Sequence, residues 1–506
     1  MTLYRLDAPD IVDRAAQFPP GFRFGVATSA YQIEGSLEAD GRGRSIWETF
    51  AEIPGKIENG ENAARACEHY LRRDEDVALI RDLGVSSYRF SIAWPRIQPT
   101  GRGAVNAPGL AFYDQLVDRL LEADVHPFPT LYHWDLPQAL EDEGGWAARD
   151  TADRFAEYTA HVVGALGDRV KQWSLFNEPY IFTSRGYLLG RYAPGRTSLD
   201  DFLKAVHTVT RAHALGYRAA KAQGSDLSVG SVFAMAPVEA ATDSDDDRNA
   251  ALYADALFNG LFAGTLFTGH YPEPFLDAMP SEAMDIRPGD MESIKTPLDF
   301  IGVNCYYRLV ISAGSNPPEL PFLLFGLRAD SRPSGGHADF TDTHAVMTTV
   351  QAAFGRNEGG RTEMGWEVWP HALHDVLMRL HRDFPGTPVH VCESGCAFAD
   401  TVNTDGRVID TARQAYHEAH VDAVARAIAG GADVQSYHAW SLYDNFEWAS
   451  GYRPRFGIMH VDYDTQQRTL KASGAWYQAL CQAARVQARA PVVDFLTGDG
   501  STANRR

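Results

Sequence analysis

The chain has 506 residues, of which 45% are hydrophobic and 22% charged, the balance of a folded globular protein and not of a disordered or fibrous one. A formal net charge of −20, with no basic cluster longer than a residue pair, excludes a general nucleic-acid binder. The N-terminus shows no apolar signal region, and no apolar run approaches the roughly 20 residues that span a bilayer, so the expected location is cytoplasmic with no membrane partner.

Residues 1–17 precede any periodic pattern and read as an N-terminal lead-in. An apolar run over 22–28 follows, then Ser29 to Gly35. Residues 67–83 have helical spacing at Tyr70, Val77 and Ile80, with Gly84 placed to end the helix. Residues 85–92 alternate as a strand and carry Arg89. Residues 110–123 predict an amphipathic helix with Leu110, Tyr113, Leu116, Val117, Leu120 and Leu121 on one face. A strand over 126–132 runs into His133-Trp134-Asp135, and a helix covers 151–166.

The next strand, 171–176, ends in Asn177-Glu178-Pro179. Its apolar residues want burial, while Asn177 and Glu178 do not. A carboxyl at the lip of an apolar strand has its charged form disfavoured, which suits a proton donor near neutral pH. Helices are predicted over 203–222, 371–383, 410–429 with Asp410 as N-cap, and 470–486. Strands are predicted over 227–234, 300–304, 389–392 and 434–440, with Glu393 following the third of these. Residues 310–361 lack periodicity and read as a long loop, and 487–506 as a C-terminal tail. The five cysteines are odd in number and sparse, and read as reduced, buried thiols.

Eight strands alternating with helices predict one (β/α)8 TIM barrel over 18–486, with its site at the C-terminal ends of the strands. Hydrogen-bonding or aromatic groups recur there: Gln32, His133, Asn177, Glu178, Asn304, Tyr306, Glu393 and Trp440. The paired carboxyls Glu178 and Glu393 fit hydrolysis of a glycosidic bond. Arg89 is placed to keep Glu393 ionised, and Tyr306 to donate a hydrogen bond to it. Sugars need aromatic platforms and polar fringe contacts, for which Trp134, Trp440, Trp448, Gln32, His133, Asn177 and Glu447 are candidates. No spacing around His133 marks a metal site.

These residues stand in motifs. They are Phe24-Gly25-Val26-Ala27-Thr28-Ser29-Ala30-Tyr31-Gln32-Ile33-Glu34-Gly35, Tyr88-Arg89-Phe90-Ser91, Leu131-Tyr132-His133-Trp134-Asp135, Phe176-Asn177-Glu178-Pro179 and Trp440-Ser441-Leu442-Tyr443-Asp444-Asn445-Phe446-Glu447-Trp448. Together they resemble glycoside hydrolase family 1, the retaining β-glucosidase and β-galactosidase family, over about residues 22–482. The resemblance implies Glu178 as acid/base and Glu393 as nucleophile, with Arg89, Asn304 and Tyr306 orienting the nucleophile. It implies Asn177 at the 2-hydroxyl, Gln32, His133 and Trp448 at the 3-hydroxyl region, Gln32 and Glu447 at the 4- and 6-hydroxyls, and Trp440 beneath the ring. Departures from the family pattern at Ala234, Cys305, Ser394, Ser436 and Ala439 are expected behind or beside the site, bearing on rate and aglycone preference.

The expected protein is a retaining exo-β-glycosidase, a β-glucosidase in the first instance, that removes terminal non-reducing β-D-glucosyl residues without cofactor or metal. Galactosyl and fucosyl residues are further candidate substrates. The alternatives are a transglycosidase using the same intermediate and a catalytically weak sugar-binding homologue. Its partners would be small β-glycosides or short oligosaccharides. An ionised Glu447 would repel a 6-phospho sugar. The sequence sets no oligomeric state.

Overall fold

Eight short segments become parallel strands: β1 (Arg23–Ala27), β2 (Ser87–Ser91), β3 (His126–Tyr132), β4 (Gln172–Asn177), β5 (Ser228–Ala234), β6 (Phe300–Asn304), β7 (Val389–Ser394) and β8 (Val434–Trp440). They close into a barrel in the order β1-β8-β7-β6-β5-β4-β3-β2, the TIM-barrel architecture predicted from the alternation. The computed structural model describes residues 11–279, 281–312 and 358–489. Closure is made by β1, which pairs with β8 from Arg23↔Ser436 to Ala27↔Trp440 and with β2 from Gly25↔Ser87 to Ala27↔Arg89. Helices cover the outside, so every residue of β2, β4, β6 and β7 is buried. Burial on both faces is what a parallel sheet covered by helices imposes, and it takes in polar residues too, Arg89 on β2 and Asn177 on β4 among them.

The base of the barrel is aromatic and polar at once. Phe128, Phe300 and His390 meet edge to face at centroid distances of 5.0 to 5.6 Å. Gln172 donates to His390 Nε2 at 2.8 Å, and His390 Nδ1 pairs with Ser436 Oγ at 2.8 Å. Burial pushes the His390 imidazole well below its ordinary value, so it stays neutral and each ring nitrogen keeps one partner. Ser436 therefore lies level with Arg23 at the N-terminal end of the barrel. This corrects the expectation that it sits beside the site; the hydroxyl serves a histidine inside the barrel floor.

The outer helices follow the predicted periods. His69–Asp82, Ala107–Glu122, Thr151–Leu166, Leu199–Lys221, His371–Asp383, Thr411–Ala429 and Ala472–Arg489 are all helical. In Ala107–Glu122 the buried stripe is Phe112, Tyr113, Leu116, Val117 and Leu120. Leu121, expected on that face, is 40% exposed, and Phe112 takes its place. Each large apolar side chain buried here contributes about 1.5–3 kcal/mol. Asp410 precedes its helix but does not cap it with its side chain. Its carboxylate instead pairs with Arg413 and accepts from Ser473 N at 2.8 Å and from Ser473 Oγ.

Three regions go beyond the sequence reading. Ile11–Ala15, within the expected lead-in, is a short helix whose buried Arg14 pairs with Asp422 and lies over the Trp476 ring. Between β5 and β6 the chain forms short helices, Asp245–Asp255, Ala263–Thr268, Glu273–Ala278 and Asp290–Ile294. A small parallel pair, Val238–Ala240 with Leu309–Ile311, stands beside the barrel mouth. Most of the expected loop over 310–361, and the tail from 490 onward, lie outside the described residues. Among the described residues all five cysteines are free and buried, and no helix is long and apolar enough to cross a membrane.

Candidate active site

Parallel strands in a closed barrel aim their C-terminal ends at one mouth, and here that mouth holds a cavity of about 670 Å³. Its wall includes His133 and Trp134 after β3, Asn177 and Glu178 at the end of β4, and Asn304 and Tyr306 at the end of β6. Glu393 comes from β7, Trp440 from β8, and Glu447 and Trp448 from the loop beyond. Residues more than 300 positions apart in the chain thus share one surface.

A connected set of hydrogen bonds fixes the acidic groups. Arg89, fully buried on β2, donates from Nη1 to Glu393 Oε1 at 2.6 Å and from Nη2 to Asn177 Oδ1 at 2.7 Å. Tyr306 donates its hydroxyl to Glu393 Oε2 at 2.5 Å. Asn304 Nδ2 donates to Glu178 Oε1 at 2.8 Å and to Asn177 Oδ1 at 3.1 Å. Asn177 Nδ2 donates to His133 Nε2 at 3.1 Å, which places the His133 proton on Nδ1. Burial, then the Arg89 charge, pushes the His133 imidazole well below its ordinary value, so the ring is neutral.

The two carboxyls live in different surroundings. Burial and the neighbouring Glu393 charge push Glu178 up to about 8; among the described residues only the Asn304 amide hydrogen-bonds its carboxyl, with Arg185 and Arg89 at longer range. Burial also lifts Glu393, but Arg89 in direct contact and the Tyr306 hydroxyl oppose the rise. Unlike environments for two carboxyls in one cavity favour the charged form at Glu393 over that at Glu178. Such a pair is able to deliver a proton from one side and a nucleophilic oxygen from the other.

The aromatic groups are packed, and their backbones are constrained. The His133 ring lies near-parallel to Trp440 at 6.0 Å and to Trp448 at 5.9 Å. Trp134 donates its indole N–H to the Asn177 carbonyl at 2.9 Å. Trp134, Glu178 and Trp448 all have positive φ, at 77°, 49° and 52°. Left-handed backbone costs a non-glycine residue about 1–3 kcal/mol, here at three positions on one wall. The packing around them holds their side chains inward.

Gln32 and Glu447 are joined by a side-chain hydrogen bond. Gln32 is fully buried behind the wall, its Oε1 accepting from Ser29 and its Nε2 donating to Asn445 Oδ1 and the Phe446 carbonyl. Its amide is thereby occupied in fixing the loop that carries Glu447. Glu447 was expected to be ionised, but burial and the Glu393 and Glu178 charges push it up to about 8. When protonated, Glu447 offers a hydroxyl donor in place of a charge. His133 Nδ1, Asn304 Oδ1 and Glu447 Oε2 are buried wall atoms with no hydrogen-bond partner among the described residues. Of the departures from the family pattern, Ala234 lines the cavity, pairing with Asn304. Arg185, Tyr192, Tyr307 and Phe258 also line it and were not anticipated from sequence. They come from turns and short helices beyond the strand ends, where no strand motif points to them.

The family model described as Glycosyl hydrolase family 1 matches residues 14–486. The chain belongs to this family. It is therefore a glycoside hydrolase acting on O-glycosyl bonds. A relative named beta-glucosidase A from Thermotoga maritima is 40% identical over 462 residues, covering 91% of this chain and 97% of that protein. Thermostable beta-glucosidase B from Thermobispora bispora is 42% identical over 466 residues, covering 91% of this chain and 90% of that protein. A solved structure of the family 1 b-glucosidase from Thermotoga maritima in complex with isofagomine lactam is similar with a TM-score of 0.82 at 39% identity. It spans 92% of this chain and 99% of that one.

Proposed function

We propose that this family 1 enzyme is a retaining exo-β-glucosidase, with Glu393 as nucleophile and Glu178 as acid/base. The observation that carries the reading is the unequal treatment of the two buried carboxyls. Glu393 is held by Arg89 and Tyr306, whereas Glu178 is raised to about 8 with no cation in contact among the described residues.

In the first step a Glu393 oxygen attacks the anomeric carbon as Glu178 passes its proton to the departing oxygen. A glycosyl–Glu393 ester forms and the Glu393 charge is consumed. Glu393 is one of the charges that raise Glu178, so its loss lowers the Glu178 carboxyl. Glu178 then takes a proton from water, which attacks the anomeric carbon and regenerates Glu393. Arg89 and Tyr306 hold the attacking oxygens in place, and Asn304 holds Glu178. No step calls for a metal or cofactor.

Recognition of the sugar follows from the wall. Trp440 offers an apolar face to the ring. His133 Nδ1, Asn304 Oδ1 and Glu447 Oε2 are the unpartnered atoms that a fringe of hydroxyls would satisfy. Glucosides are the favoured class because the named relatives are beta-glucosidases. A cytoplasmic setting suits five free, buried thiols.

The test is labelling with a 2-fluoroglucoside bearing a good leaving group. Peptide mapping is expected to find the sugar on Glu393, with Glu393→Gly inactive and unlabelled but folded by circular dichroism. A label on any other residue overturns the assignment.

A further inference from the structure

Resting on the glycosidase reading, we propose that Arg185 makes the aglycone side of this cavity selective for β-glycosides whose aglycone carries a carboxylate, since it presents a half-buried guanidinium that, among the described residues, only a phenol partners. The buried arginines of the molecule meet carboxylates, among them Arg89 with Glu393, Arg96 with Glu34, Arg308 with Glu367 and Arg413 with Asp410. Arg185 is different. Its Nη1 donates to Tyr192 OH at 2.7 Å, and its guanidinium lies over the Tyr192 ring at 4.9 Å. Among the described residues no carboxylate stands within ion-pair distance of it. A guanidinium has five N–H donors in a planar fork that fits a carboxylate, and a single tyrosine hydroxyl engages one of them.

Its place relative to Glu178 identifies what it would meet. Glu178 is the N-cap of Pro179–Thr183, which continues as the wide turn Ser184–Leu188 carrying Arg185. Arg185 is seven residues past Glu178, about two turns and roughly 10 Å farther along the helical path. Both line the same cavity. The oxygen that takes the Glu178 proton belongs to the aglycone, so the aglycone extends past Glu178 along this segment. The wall there is Ile181, Phe258 and Tyr307, with Met235 beside them. These residues suit a flat apolar body with an anionic end.

A second cation adjoins it. The Arg191 N–H donates to the Arg185 carbonyl at 2.9 Å, and burial together with the Arg185 charge holds Arg191 down at about 10. An anion bound at Arg185 would meet the guanidinium donors that the Tyr192 hydroxyl leaves open. Its bonds to Arg185 would be charge-assisted, the stronger kind.

The experiment compares 4-carboxyphenyl β-glucoside with its neutral isostere, 4-carbamoylphenyl β-glucoside, on wild type, Arg185→Gln and Arg185→Lys. The readout is the ratio of kcat/KM for the acid over the amide. We expect about tenfold or more in wild type, a fall to about one in Arg185→Gln, and partial retention in Arg185→Lys. A wild-type ratio near one, or a ratio that Arg185→Gln leaves unchanged, overturns the proposal. So does a preference for glucoside 6-phosphate that disappears in Arg185→Gln, because the cation would then serve the sugar. If wild type hydrolyses neither aryl glucoside, the failure is that of the glucosidase reading.

Discussion

A carboxyl near 8 and a carboxyl clamped by arginine respond differently to substitution, and that difference is measurable residue by residue. Glu178→Ala removes the proton donor, which matters most when the leaving group is basic. We expect a loss of about 100- to 10,000-fold for alkyl glucosides and a far smaller one for dinitrophenyl glucoside, with azide restoring turnover of the latter. Equal losses on both substrates would count against Glu178. Tyr306→Phe removes one donor from Glu393 at a cost of about 1.5–3 kcal/mol, or roughly tenfold to a hundredfold in kcat, because the bond is to a charged group. At this scale the sequence was informative about identity and silent about state. Strand-end motifs pointed to Glu178, Glu393, Arg89 and Tyr306, since each sits where a barrel must present side chains. The protonation of Glu447 was not legible, because it depends on how deeply the fold buries it beside two other carboxyls. The occupied amide of Gln32 was hidden for the same reason: its partners are more than 400 residues away.

Elements were legible in proportion to their length and burial. All eight barrel strands stood out because a buried parallel strand is an apolar run with polar punctuation. The helices between β5 and β6 were not, since none exceeds 11 residues and so few turns carry no clear period. One contact between elements makes a sharp prediction. Gly395 follows β7, and a Cβ there would fall 1.7 Å from the Trp440 carbonyl oxygen at the end of β8. Backbone oxygen cannot step aside as a flexible side chain does. Gly395→Ala is therefore expected to part the ends of β7 and β8, shifting Glu393 against Trp440. The check is a thermal melt with kcat/KM on one preparation: both should fall, and an unchanged Tm would show that the strands accommodate the methyl.

For the whole molecule, buried ionisable groups tie stability to pH. Glu178 and Glu447 are both raised in the fold to about 8 from an ordinary value of 4.5. A raised carboxyl favours the folded state while protonated. Its contribution is complete below the ordinary value and is lost as pH rises through about 8. Glu447→Gln is always neutral, so its Tm relative to wild type should climb between pH 5 and pH 9; a flat difference would refute the burial argument. A second test addresses the ion cluster beneath the loop that follows β8. Buried Lys471 donates to Asp444 Oδ1 at 2.6 Å and also pairs with Asp400. Lys471→Met leaves two carboxylates short of a cation and should cost about 3–5 kcal/mol in denaturant unfolding.

The way β1 is shared has an outcome for the molecule's making. One of its edges is satisfied by β2, an early neighbour, and the other waits for β8, translated about 400 residues later. Until then the nascent chain carries an open row of backbone donors and acceptors along β1. A reading frame halted shortly after Glu393 would still encode both acidic groups and the arginine between them. It would encode no lid for that edge and no Trp440 to floor the pocket. Such a product is destined for edge-to-edge self-association, not feeble turnover, so nonsense changes between Glu393 and β8 should surface as inclusion bodies.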